Sequence, residues 1–175
     1  MNQLQNNLIR VDEKAPERDL EVNVLFTTIK GTLSALRVAA KLADDLGARI
    51  RVIVPQVVPY PLDLSHPPIK PEFSARRVCT IASEHAIDTE IQVCLCRDKR
   101  DATLAVLKPN SIVVVGGRKR FWRTEETRMA DSIRRQGHQV VFIDQDSVAL
   151  TPSHPASEAC DRIAASSSSA NASLW

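Results

Sequence analysis

Ser111-Ile112-Val113-Val114-Val115-Gly116-Gly117-Arg118-Lys119-Arg120 is the stretch whose reading decides the fold. Four branched apolar residues in succession suit a strand buried on both faces, as in a parallel sheet. The two glycines are expected to end that strand, because glycine reaches backbone angles that other residues avoid. Three cations follow, and then a helical pattern over 121–136. A strand, a glycine turn and a helix start together make a place where backbone N–H groups hold an anion.

Upstream, the same alternation of elements repeats. Residues 21–28 read as a first strand, rich in strand formers and apolar in the middle. Gly31 is expected to break it, with Thr32 or Ser34 capping a helix to about Leu46 and Gly47 stopping that helix. Leu33, Leu36, Ala40 and Ala43 fall on one helical stripe. Residues 49–54 form a second strand. Pro55, Pro59, Pro61, Pro67, Pro68 and Pro71 then predict a long loop, of the kind that covers a site or moves. A second helix is expected over 72–86, with Phe73, Val78, Ile81 and Ala82 on its apolar face. Residues 89–96 alternate as an edge strand does, and 98–107 give a short third helix. Downstream, Met129 and Ile133 face the sheet from the fourth helix, Gly137 ends it, and 138–144 form the fifth strand.

Five strands alternating with four helices call for a parallel sheet with right-handed crossovers and helices on both faces, an α/β class. Ligands of such sheets bind beyond the C-terminal strand ends, where the strand order reverses. The domain is expected to span 21–145. Residues 1–20 are polar and charged and predict a mobile leader. Residues 146–175, with a Ser/Ala run after Ala164, predict a disordered tail that cannot bury enough apolar area to offset its ordering entropy.

The 175 residues allow one domain with tails. Aromatics make up only 4%, so the core falls to Val, Ile, Leu and Ala. A net charge of +2 argues against a general nucleic-acid binder while permitting a local basic patch. The sequence has neither an apolar run of membrane-spanning length nor the charged start and apolar centre of a secretory signal, which predicts a cytoplasmic protein without a membrane partner. Cys94 and Cys96 point to one face of a strand and read as small buried apolar residues rather than a metal or redox pair. His66, His85, His138 and His154 stand alone, without metal-ligand spacing.

Val24-Leu25-Phe26-Thr27, the stretch from Leu36 through Ala43 with Leu46-Gly47-Ala48 after it, Ile112-Val113-Val114-Val115-Gly116 and the run from His138 to Ile143 together resemble a universal stress protein domain. The resemblance covers 22–144. It implies the strand order 3-2-1-4-5 and a homodimer formed through strand five. Some members of that family bind ATP. Those carry an acidic residue at the end of strand one, where this chain has Thr27 or Thr28, and G-x-x-G, nine residues, then G-[S/T] after strand four. Gly116 fits the first glycine, followed by Gly117 and Arg118. Lys119 replaces the second glycine, and Met129 and Ala130 occupy the last pair, leaving Thr127 as a hydroxyl in another register. Glu125 and Glu126 would repel an anion there. Asp98 sits where the phosphoacceptor of a receiver domain would, but Thr27-Thr28-Ile29-Lys30 lacks the acidic pair that holds magnesium.

Arg118, Lys119, Arg120 and Arg123, beside Phe121 and with Trp122 as a stacking surface, suit contact with a phosphate, nucleotide or nucleic acid, or else a solvated loop paired with Glu125, Glu126 and Asp131. No nucleophile and base pair by spacing, so catalysis is not expected. Two readings follow. One is a non-catalytic stress-protein-like module that dimerises and engages an unidentified protein partner. The other is an ATP- or AMP-binding protein with an altered phosphate loop, built from Thr27, Gly116, Gly117, Arg118, Lys119 and Thr127.

Overall fold

Val113, Val114 and Val115 are wholly buried, as a run of branched side chains without polar interruption requires. They belong to β4 (Ile112–Gly117), which pairs in parallel with β1 (Glu21–Leu25) on one side and β5 (Gln139–Asp144) on the other. In the computed structural model, which describes residues 20–118 and 124–146, β2 (Arg49–Val57) and β3 (Glu90–Cys96) complete a five-stranded parallel sheet. Its order is β3-β2-β1-β4-β5, the order that the sequence resemblance implies. Most of the expected leader and tail, residues 1–19 and 147–175, lies outside the described residues, as do Lys119, Arg120, Phe121, Trp122 and Arg123.

Two helical layers cover the sheet. α1 (Ile29–Leu46) and α2 (Pro71–Ser83) pack on one face, around Val22, Val24, Val52, Val54 and Val114. α3 (Lys99–Val106) and α4 (Glu125–Arg135) pack on the other, around Leu25, Ile53, Val113 and Val115. Alternate residues of each strand feed the two cores, as the pleat requires. Cys94 and Cys96 both enter the second core, and burial pushes the Cys94 thiol up to about 11, so it behaves as an apolar residue.

Several local expectations are corrected. Gly31 does not break the chain but lies in the first turn of α1, whose N-cap is Thr28, not Thr32 or Ser34. The buried face of α1 runs through Thr32, Ala35, Leu36, Ala39 and Ala43, leaving Leu33 and Ala40 half-buried. Gly116 and Gly117 lie inside β4 rather than after it. α4 begins at Glu125, later than the expected 121, because the Thr124 hydroxyl accepts from the Thr127 N–H and caps it. Phe73 is 64% exposed rather than on the apolar face of α2.

β2 runs on through Pro55 to Val57. The Ile53 carbonyl receives Phe26 N–H from the β1 side, so Pro55, two residues on, also faces that side. There β1 has already ended at Leu25, and the missing proline N–H costs no ladder bond. β3 is the edge strand its alternation suggests, yet residues 92–96 are buried on both faces beneath α2 and α3. The proline-rich connection, residues 58–70, is tied down: Arg97 donates to the Val58 and Leu62 carbonyls at 2.7 and 2.6 Å and lies over the Tyr60 ring. Among the described residues no helix is long and apolar enough to cross a membrane.

At the N-terminal edge of the sheet, Glu21 (side chain 9% exposed) meets Arg51, Arg49 and Lys108. Burial alone would raise its pKa, but the hydrogen bond from Lys108 and the adjacent Arg51 charge outweigh it and hold the carboxyl below its ordinary 4.5. A carboxyl lowered in the folded state stabilises the fold above its unfolded pKa, and that stabilisation is lost as pH falls through the folded value. Glu21→Gln leaves Arg51 half-enclosed without its anion and is expected to cost about 2 kcal/mol at neutral pH. Denaturation of both proteins across a pH series should show the gap closing below pH 4.5. A gap that stays constant through acid pH would remove Glu21 from the account.

Candidate functional site

The reversal of strand order lies between β1 and β4, so their C-terminal ends are the place to look for a ligand site. What meets there is backbone. A Cβ built on Gly116 would stand 1.8 Å from the Gly31 carbonyl oxygen, and one on Gly31 would stand 2.6 Å from the Gly116 oxygen. Neither glycine has positive φ. Their lack of a side chain serves close approach, not an unusual turn, which corrects the reading of Gly116 and Gly117 as a strand-ending glycine turn. The first turn of α1 thereby rests directly on the end of β4.

The two threonines after β1 lock this contact. Thr27 donates its hydroxyl to the Gly116 carbonyl at 2.5 Å, while its own N–H donates to Thr32 Oγ1 at 3.2 Å. Thr28 Oγ1 accepts from the Gly31 N–H at 3.1 Å, capping α1, and reaches Gln145 Oε1 at 3.4 Å. Thr27 and Gly116 are thus in contact, and they spend their polar atoms on each other.

Gly117 is covered from the opposite layer. A Cβ there would lie 2.8 Å from Glu126 Cβ and 3.2 Å from the Phe142 ring. Thr127 turns its N–H and hydroxyl toward Thr124 Oγ1, at 3.3 and 3.1 Å. Arg118 pairs with Asp146 at 3.2 Å, rather than with the glutamates of α4. Lys119 lies outside the described residues. What remains open is a cleft of about 250 Å³ lined by Thr28, Arg118, Thr124, Glu126 and Gln145.

Several of the described groups beside this cleft already have partners. One N–H at each helix start has a side-chain acceptor: Gly31 N–H donates to Thr28 and Thr127 N–H to Thr124. Glu125 and Glu126 occupy the first turn of α4, where they complement the helix dipole and repel a second anion. Arg118 supplies a cation and pairs with Asp146 at 3.2 Å, with much of both side chains in solvent, where such a pair is weak. Met129 and Ala130, at the place of a G-[S/T] pair, are buried in the core beneath α4.

Other candidates are structural. Asp98 accepts from the Arg100 and Asp101 N–H groups and caps α3. The described residues hold no cluster of His, Cys, Asp and Glu able to bind a metal ion. Arginines on α3 and α4, which line a separate cleft, are what sequence reading passed over. The spacing of Arg128, Ser132 and Arg135 marks one helical stripe, but the facing wall comes from a distant segment.

No family model matches the chain, and no curated protein does. Among solved structures it is similar to a universal stress protein from Archaeoglobus fulgidus, at 15% identity and a TM-score of 0.47, over 71% of this chain and 93% of that one. It is also similar to a predicted subunit of tRNA methyltransferase from Methanocaldococcus jannaschii, at 14% identity and a TM-score of 0.39, over 74% and 70% of the two chains. Neither likeness assigns a ligand or an activity.

The glycine contact has a direct test. Gly116→Ala forces a methyl group into a fixed carbonyl and is expected to cost at least ~3 kcal/mol in chemical denaturation. Gly47, which has φ +62° and open space around it, meets only backbone strain, and Gly47→Ala should cost about 1 kcal/mol. Equal costs at the two positions would show that the backbones are not in close contact.

Proposed function

We propose that the protein is a non-catalytic, universal-stress-protein-like module of the cytoplasm, which acts in a stress response by dimerising through β5 and presenting the paired sheets to a protein partner. The stress-response element of this reading rests on the sequence resemblance. The dimer rests on β5, and that strand is the observation that carries the proposal.

β5 pairs with β4 along one side, and among the described residues no strand pairs with the other. Val140, Val141, Phe142 and Ile143 are all half-buried, packed on the two cores but less covered than the closed valines of β4. Gln139 and Gln145 N–H groups point to β4, donating to the Ser111 and Gly117 carbonyls, so the intervening even-numbered residues direct their backbone groups outward. Arg134 reaches one of those groups, the Val140 carbonyl, at 3.4 Å. An apolar edge with free donors is a template for pairing with another chain. A second copy satisfies it symmetrically, in an isologous contact.

The crevice between β1 and β4 supports the non-catalytic part. Among the described residues it holds no nucleophile beside a base, and the hydroxyls of Thr27 and Thr127 are engaged with Gly116 and Thr124.

Light scattering coupled to gel filtration tests the dimer. The protein should run at twice its 19.4 kDa mass at micromolar concentration. Val140→Pro removes an outward N–H that the β4–β5 ladder does not use, and it should yield a folded monomer. A wild-type monomer throughout the micromolar range, or a Val140→Pro protein that remains dimeric, would overturn β5 as the interface.

A further inference from the structure

A second cleft, of about 550 Å³, opens beyond the ends of β2 and β3, between the first turn of α3 and the outer side of α4. It shares no lining residue with the cleft beside Thr28 and Gly117. Its volume lies in the range of small-ligand sites.

The lining is dominated by cations: Arg97, Lys99, Arg100, Arg128 and Arg135. Against these stand two carboxylates, Asp98 and Glu125. Asp98 is committed to the cap of α3, and Glu125 pairs with Lys99 at 3.0 Å. Arg97 spends its N–H groups on the neutral carbonyls of Val58 and Leu62, so its charge is not cancelled. Arg100 faces Asp101 at 3.6 Å, with both side chains mostly in solvent, and such a pair is weak. Arg135 Nε donates to a backbone carbonyl, that of Asp131. Among the described residues the Arg128 side chain makes no ion pair.

Arg128, Ser132 and Arg135 lie along one stripe of α4, with a rise of about 10 Å between the two arginines. Guanidinium groups bind phosphate oxygens in pairs of parallel hydrogen bonds, and two of them along a stripe suit more than one phosphate. Val57 and Met129 are the apolar members of the lining among the described residues. The cleft therefore has cations for a phosphate chain.

We infer that this cleft binds a small anion of two or more linked phosphates, with Arg128 and Arg135 as its main contacts, Ser132 as a hydroxyl donor and Lys99 and Arg100 on the facing wall. This site is independent of the dimer proposed above. A nucleic-acid strand is less well served, because the charge is gathered in one cleft of a protein whose net charge is +2 rather than drawn out along a path.

The test is a calorimetric titration of the full chain with sodium tripolyphosphate, pyrophosphate and orthophosphate at low salt. Affinity should fall in that order and weaken with added salt. Arg128→Gln with Arg135→Gln should weaken tripolyphosphate binding by at least about tenfold per arginine. Both side chains are exposed, and an unchanged denaturation midpoint would show that the fold is intact. Arg134→Gln, on the same helix but outside the cleft, should leave the affinity unchanged and so separate a local contact from general charge. Should the double variant prove unstable, Arg128→Lys, which keeps the charge but loses the paired geometry, should still bind several-fold more weakly. Absence of binding at low salt, or equal affinity in the wild type and the double variant, would overturn the site. A single-stranded oligonucleotide of equal charge binding more tightly than tripolyphosphate would overturn the choice of ligand.

Discussion

The structure depends on two backbones that touch. The Gly31 carbonyl packs where a Gly116 side chain would be, and the Thr27 hydroxyl clamps the Gly116 carbonyl from the same side. This contact sets how closely α1 lies over β4. It therefore sets the thickness of the layer that buries Val24, Val114, Leu36 and Ala39. Interiors are dense enough that a methyl group at such a point displaces a whole helix rather than a side chain. The same contact narrows the crevice at the reversal of strand order, leaving the cleft beside Thr28 and Arg118.

Charge follows from that contact. At the mouth of the crevice the helix N-termini are met by the chain's own groups: Thr28 for α1, and Thr124 with Glu125 and Glu126 for α4. Each cap takes up one N–H of its helix start, and the two glutamates oppose a further anion at α4. Uncompensated positive charge gathers elsewhere, on the facing sides of α3 and α4. The protein thus has a tightly packed backbone contact and a small cleft where its topology leads one to look for a ligand. Its concave basic surface lies to one side, and its apolar edge, β5, lies at the end of the sheet.

The elements of the fold were legible in the sequence because each carries a local signal. The valine run of β4, the α1 stop at Gly47 and the alternation entering β3 are properties of neighbouring residues. The strand order came from the family resemblance, and the pairing of β1 with both β2 and β4 agrees with it. The roles of Gly31 and Gly116 were not legible, since a glycine required for close approach looks in sequence like one required for a turn. The start of α4 had a usable signal in Thr124 followed by two glutamates, a cap followed by first-turn acids. The basic cleft was hidden because it joins Arg97, Lys99 and Arg100 to Arg128 and Arg135, and only the folded chain sets α3 beside α4. Attention fell instead on the contiguous cations after Gly117, of which Arg118 pairs with Asp146.

The measurement that tests the narrowed crevice most directly is a backbone-amide NMR titration with ATP, read residue by residue. The account predicts that the amides of Thr27, Thr28, Gly116, Gly117 and Arg118 stay in place to millimolar nucleotide, and that any saturable shifts fall on residues 97–100 and 128–135. Saturable shifts at Thr27, Thr28 and Gly116 would contradict it, because they would mean that the Gly31–Gly116 contact opens to admit a nucleotide.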